Sequence, residues 1–158
     1  MTTKTRQRHD WIRYTNWANT RPQVNSTSEA VAIARSIIEA HWGYEIEHLI
    51  AIILDNQRRI IGTALAGIGG FTTAFFVPEV LFKAFFRHRG ATGLILVHNH
   101  PSDSSAPSEQ DIIFSSGFAG LCTMLRITLI DQFVLTAEEY RAIPYDRNAT
   151  LVLEQKDG

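Results

Sequence analysis

The chain reads as mixed α and β on two observations. Its apolar runs are short, branched and bounded by turn residues, as buried strands are, and capped amphipathic helical patterns stand between them. Ser26, Thr27, Ser28 and Glu29 start the first helix, whose apolar side is Val31, Ile33, Ala34, Ile37 and Ile38, and which closes near His41, Trp42 and Gly43. Strands follow over 48–54 and 60–66, and the polar run from Asp55 to Arg59 between them is a hairpin signal. Gly67, Ile68, Gly69 and Gly70 permit a sharp bend before a third strand over 71–77. These glycines lack the Lys-Ser/Thr ending and the spacing of a phosphate loop. Pro78 suits the first turn of a second helix, where its missing N–H costs nothing, and Gly90 stops that helix. Gly93, Leu94, Ile95, Leu96 and Val97 make a buried strand, a helix runs over 108–121, and a last strand covers 126–135. There are no repeats.

At 158 residues and 45% apolar content, the chain has material for one domain with a real core. A single cysteine, Cys122, excludes a disulfide framework and a cysteine zinc finger, and its apolar surroundings imply a buried, inert thiol. No apolar signal region and no run long enough to span a bilayer are present, so the expectation is a cytoplasmic protein with no membrane partner. Net charge is −1 but uneven. Residues 1–25 carry Lys4, Arg6, Arg8, Arg13 and Arg21 against Asp10 alone, so this arm is +4 and the remainder −5. With Trp11, Tyr14 and Trp17 interleaved, the arm has the composition of a nucleic-acid contact, and equally that of a segment laying aromatics on its own domain. The expected organisation is a basic arm over 1–25, a domain over 26–143 and a polar tail over 144–158.

Chemistry concentrates where the buried strand ends. His98 and His100 lie two residues apart, and alternate residues of a strand share a face, so two imidazoles can converge on one ion. Asp111, opening the next helical pattern, is the candidate third ligand. Three protein ligands with one open position are the arrangement of a catalytic rather than a structural zinc. Taken alone, Ser108 with Asp111 three positions later is a helix-capping box with Asp in place of the usual Glu. The two readings coexist, because a cap that stiffens the first turn also aims Asp111 inward.

The spacing His98-x-His100-x7-Ser108-x2-Asp111 resembles the signature of the JAMM metallopeptidases, the MPN or JAB domain. The surrounding Val97, Asn99, Pro101, Ser102 and Pro107 resemble its bacterial RadC-like branch. The resemblance, which covers about Ala30 to Ile143, implies an α/β fold with a mixed β-sheet sandwiched by helices, the JAB/MPN (cytidine-deaminase-like) fold, and one upstream glutamate. Glu47, heading the run Glu47 to Asp55, fits that pattern, with Glu45 as the register alternate. It implies one zinc ion per chain on His98, His100 and Asp111, with Glu47 as general base and then general acid, and Ser108 as oxyanion donor. The implied activity is hydrolysis of a peptide or isopeptide bond in a peptide or protein substrate through a metal-activated water.

Three departures stand out against that branch. The last strand reads Asp131, Gln132 where relatives usually have Asp-His, and the helix after Pro78 opens Glu79, Val80 where they commonly have Arg-Glu. Asp103 replaces a usual glycine in the motif loop, a carboxylate able to repel acidic substrates. An HNH nuclease disperses its three residues over a longer unit, and a zinc nucleoside deaminase needs a Pro-Cys-x-x-Cys pair that one cysteine cannot supply. The remaining alternative is a non-catalytic, metal-stabilised RadC-like module acting in DNA repair or other DNA transactions. Oligomeric state is not legible.

Overall fold

Continuous burial along two strands organises the molecule. A computed structural model describes residues 21–69 and 76–146. In it β1 (His48–Leu54) and β3 (Gly93–Asn99) are buried at every position, the pattern of strands covered on both faces. With β2 (Ile60–Ile68), β4 (Thr128–Leu135) and β5 (Tyr140–Ala142) they form a sheet ordered β2-β1-β3-β4-β5. Among the described strands only the β3–β4 pair is parallel. A parallel pair needs a crossover, and α3 (Glu109–Met124) supplies it.

Alternation along the strands splits the core in two. Ile50, Ile52 and Leu54 of β1, Ile95 and Val97 of β3 and Phe133 of β4 pack against Val31, Ala34, Ile37 and Ile38 of α1 (Thr27–His41). Leu49, Ala51 and Ile53 with Leu94 and Leu96 pack on the other side. There they meet Leu81, Ala84 and Phe85 of α2 (Pro78–Arg87) and Phe118, Ala119 and Cys122 of α3. The sheet is therefore sandwiched by helices, as the resemblance implies. Burial pushes the Cys122 thiol up to about 12, consistent with an inert core position.

The first helix begins as expected, with the Ser26 hydroxyl accepting from the Glu29 N–H. The hairpin turn is held by Asp55, whose carboxylate accepts from the N–H groups of Gln57 and Arg59. Elsewhere the bounds differ from the sequence expectation. β2 runs on to Ile68, and β5 is a short exposed strand that pairs back onto Phe133–Leu135. α3 runs past 121 to Met124, and β4 starts at Thr128. Its end is a left-handed cap: Arg126 has φ +57, its N–H donates to Thr123 O and that of Ile127 to Cys122 O. Arginine sits where glycine is usual, so the stop carries no local signal.

Most of the strand expected over 71–77 lies outside the described residues; within them, Phe76 bridges to Gly67 and the Val77 N–H donates to Ala66 O. Trp11, Tyr14, Trp17 and the charges of the arm up to residue 20 lie outside as well, as does the tail from 147. Residues 22–24, assigned to the arm by composition, instead join the sheet region: Gln23 bridges to Arg59, and Val24 is buried in the α1-side core. Among the described residues no helix is long and apolar enough to cross a membrane.

Candidate metal centre

The ends of β1 and β3 and the start of α3 meet at one point. His98 follows Leu94 and Leu96 on the sheet face that carries α2 and α3. It pairs with Leu49, so Glu47, two residues before Leu49, comes to the same face beside it. β3 then stays with β4, the His100 N–H donating to Leu135 O. Asp111 enters from the first turn of α3, aimed by a complete capping box. The Asp111 N–H donates to Ser108 Oγ at 3.1 Å, and the Ser108 N–H donates to Asp111 Oδ2 at 2.7 Å.

One ligand atom each from Glu47, His98, His100 and Asp111 falls within 4.8 Å of the others. Three of these residues form a tight triangle. The two Nε2 atoms are 3.2 Å apart, His98 Nε2 is 3.1 Å from Asp111 Oδ1, and His100 Nε2 is 3.2 Å from Asp111 Oδ2. Ligands bound tetrahedrally at zinc distances stand about 3.3 Å from one another, so the triangle has the dimensions of one face of such a site. Glu47 Oε1 stands farther out, 4.0 Å from His98 Nε2. His100 Nδ1 lies 3.1 Å from Ser104 O; an N–H donated there leaves the Nε2 lone pair for a metal, the usual outer support of a ligating histidine. The donor set, two imidazoles and a carboxylate, suits a divalent transition metal.

The electrostatics agree with that geometry. Burial works against the charge on Asp111, yet hydrogen bonds with His100 and His98, the His98 charge and the Ser108 N–H hold its carboxyl far below the usual range. The bond to Asp111 raises the His100 pKa against the opposing effect of burial, with Ser104 O assisting. Burial raises that of Glu47, the neighbouring imidazoles opposing and Asp111 assisting. Where His100 is protonated a metal must displace that proton, so affinity should weaken as pH falls through its raised pKa. Chelator competition between about pH 6 and pH 8 checks this, and a flat profile would contradict His100 as a ligand.

Other expected residues fall outside the triangle. Glu45 is exposed and not in the group, whereas Glu47 is buried and in it. Ser108 is exposed, at the cap beside Asp111, and Asp103 is exposed in the same loop. Asp131 accepts from Thr27 Oγ1 at the start of α1, on the opposite side of the sheet. Gln132, given no role by the sequence, is fully buried and donates from Nε2 to Ser115 O, tying β4 to the helix that carries Asp111. Asn99, a motif flank in the sequence, is fully buried and hydrogen-bonded on both sides of Glu47. Strand alternation was the available signal, since a residue between two ligands must face the other way.

The mixed sheet, the three helices of the described residues and the cluster at the β1, β3 and α3 ends fit a JAB domain. Residues 24–148 match the family described as "RadC-like JAB domain", and the chain belongs to that family. A UPF0758 protein of Streptococcus thermophilus (strain CNRZ 1066) is 40% identical over 102 residues, 64% of this chain and 44% of the relative. One from Aquifex aeolicus (strain VF5) is 35% identical over 95 residues, 60% of this chain and 40% of the relative. One from Streptococcus pyogenes serotype M49 (strain NZ131) is 32% identical over 117 residues, 73% and 51%. The match thus spans about half or less of the length of these relatives.

Proposed function

We propose that the cluster is a zinc centre that hydrolyses a peptide or isopeptide bond. The observation that carries this reading is the buried Glu47 carboxylate. It stands beside the triangle without joining it, where a fourth ligand is not needed but a proton acceptor is. Zinc on His98, His100 and Asp111 would supply Lewis acidity to a water and to the scissile carbonyl. Glu47, its pKa raised by burial, takes the proton of the attacking water and delivers it to the departing amine. Ser108 Oγ accepts the Asp111 N–H, which leaves its O–H to donate to the developing oxyanion. The substrate is a peptide or protein. Contact with nucleic acid would run through Lys4, Arg6, Arg8, Arg13 and Arg21 with the interleaved Trp11, Tyr14 and Trp17, on composition alone.

Elemental analysis of protein purified without chelator or nickel is expected to find about one zinc per chain. A peptide library should then be cleaved by the loaded protein, with cleavage lost to a chelator and restored by zinc. A chain that stays metal-free when zinc is offered overturns the reading. Bound zinc without cleavage of any peptide favours the metal-stabilised module.

A further inference from the structure

We propose that Asn99 is a positioning residue for Glu47. The β1–β3 ladder ends at the Leu49–His98 pair, two residues short of Glu47, the catalytic carboxylate assigned above, on whose role this inference rests. The Asn99 side chain extends it. His48 N–H donates to Asn99 Oδ1 at 2.9 Å, and Asn99 Nδ2 donates to Ile46 O at 2.9 Å. An amide presenting one acceptor and one donor is a peptide surrogate, and it fastens the backbone immediately before and immediately after Glu47. The other edge is held by Gly69 N–H donating to Glu47 O at 3.0 Å. Glu47 therefore sits on a backbone fixed from both neighbouring sides, although it precedes β1.

The same residue stands between two ligands. His98 and His100 turn to the metal face, so Asn99 turns to the α1 face, where it is fully buried. One three-residue stretch of β3 thus places two ligands directly and the base indirectly, and links the base to the ligands rigidly. No other residue type of that size both donates and accepts in this way: aspartate at this position keeps the acceptor for His48 N–H but cannot donate to Ile46 O, and leucine keeps neither.

The test uses the full chain with carboxyl-13C glutamate, loaded with cobalt(II) as the probe, in wild type, Asn99→Leu and Asn99→Asp. Wild type should show one strongly paramagnetically shifted glutamate signal, identified by its loss in Glu47→Gln. Both Asn99 variants should bind cobalt at the wild-type stoichiometry while that shift falls by half or more. A shift unchanged in a folded Asn99 variant overturns the proposal. Asn99→Asp carries the test if Asn99→Leu does not fold. If wild type binds no cobalt, the metal-centre reading fails separately, and hydrogen exchange at the His48 amide decides the clamp. Exchange at least tenfold faster in Asn99→Leu, or in Asn99→Ala where the leucine variant does not fold, with Ile52 unchanged, supports it; equal exchange overturns it.

Discussion

Replacing Asp111 with alanine should strip the metal and fray α3 together. Its two carboxylate oxygens face His98 and His100 at 3.1 and 3.2 Å, and Oδ2 also accepts the Ser108 N–H. Loss of an outer partner of a ligand typically costs about 10–100-fold in metal affinity, so loss of the ligand itself should exceed that. Half of the capping box goes with it, the Ser108 N–H losing its acceptor, which costs about 1 kcal/mol for one hydrogen bond. Asp111→Asn separates the effects, because its amide oxygen still caps Ser108 while offering no anionic ligand. Zinc titration and denaturant unfolding of both variants read the two losses independently. Wild-type affinity in Asp111→Asn would exclude the carboxylate as a ligand. The depressed pKa adds a pH signature in the metal-free protein. The stabilisation is present above the unfolded carboxyl value of about 3.9 and is lost as pH falls through the lower folded one. Asp111→Asn should lack this acid-side loss.

Glu47→Gln should abolish turnover and leave the metal in place. A positioned proton acceptor contributes about 10²–10⁴-fold in rate, and the neutral amide cannot replace it. The triangle of His98, His100 and Asp111 is untouched, so zinc stoichiometry should match wild type. Stability should move the other way. Burial raises the Glu47 pKa, so the folded state prefers the neutral carboxyl. Its contribution is full below the unfolded value of about 4.3 and is lost as pH rises through the raised folded value. Above that window the amide avoids the cost of burying a charge, and metal-free Glu47→Gln should unfold at no lower denaturant concentration than wild type. Full cleavage by Glu47→Gln would remove the base assignment, whereas loss of zinc would make Glu47 a ligand.

The elements legible in the sequence are those whose signals are local. The uninterrupted apolar run of β3, the Ser26 cap and Pro78 at the first turn of α2 each declare themselves within a few residues. β5 does not, because its three residues are exposed and owe their conformation to pairing with β4. The end of α3 does not either, since Arg126 adopts a left-handed backbone without the glycine that usually marks one. Residues 22–24 read as a charged arm and join the sheet region, because composition averages over a segment while pairing acts on single residues. Gln132 was invisible for a related reason. A polar residue in a strand counts against burial until a specific acceptor, here Ser115 O, is known to lie opposite.

For the site, the amino-acid sequence by itself determined the donor types and their spacing along the chain. Two imidazoles at a strand end and a carboxylate three residues past a serine are local patterns, and the choice of Glu47 over Glu45 was already framed by the run that follows. Only the tertiary structure decided that these atoms meet. The Leu49–His98 pairing brings Glu47 beside the first histidine, and the α3 crossover packs Asp111 onto the same sheet face. Tertiary structure also turned Asn99 from a motif flank into a clamp on the backbone around Glu47. The reason is that spacing fixes which face a side chain takes, whereas the distance between side chains on different elements depends on register and packing.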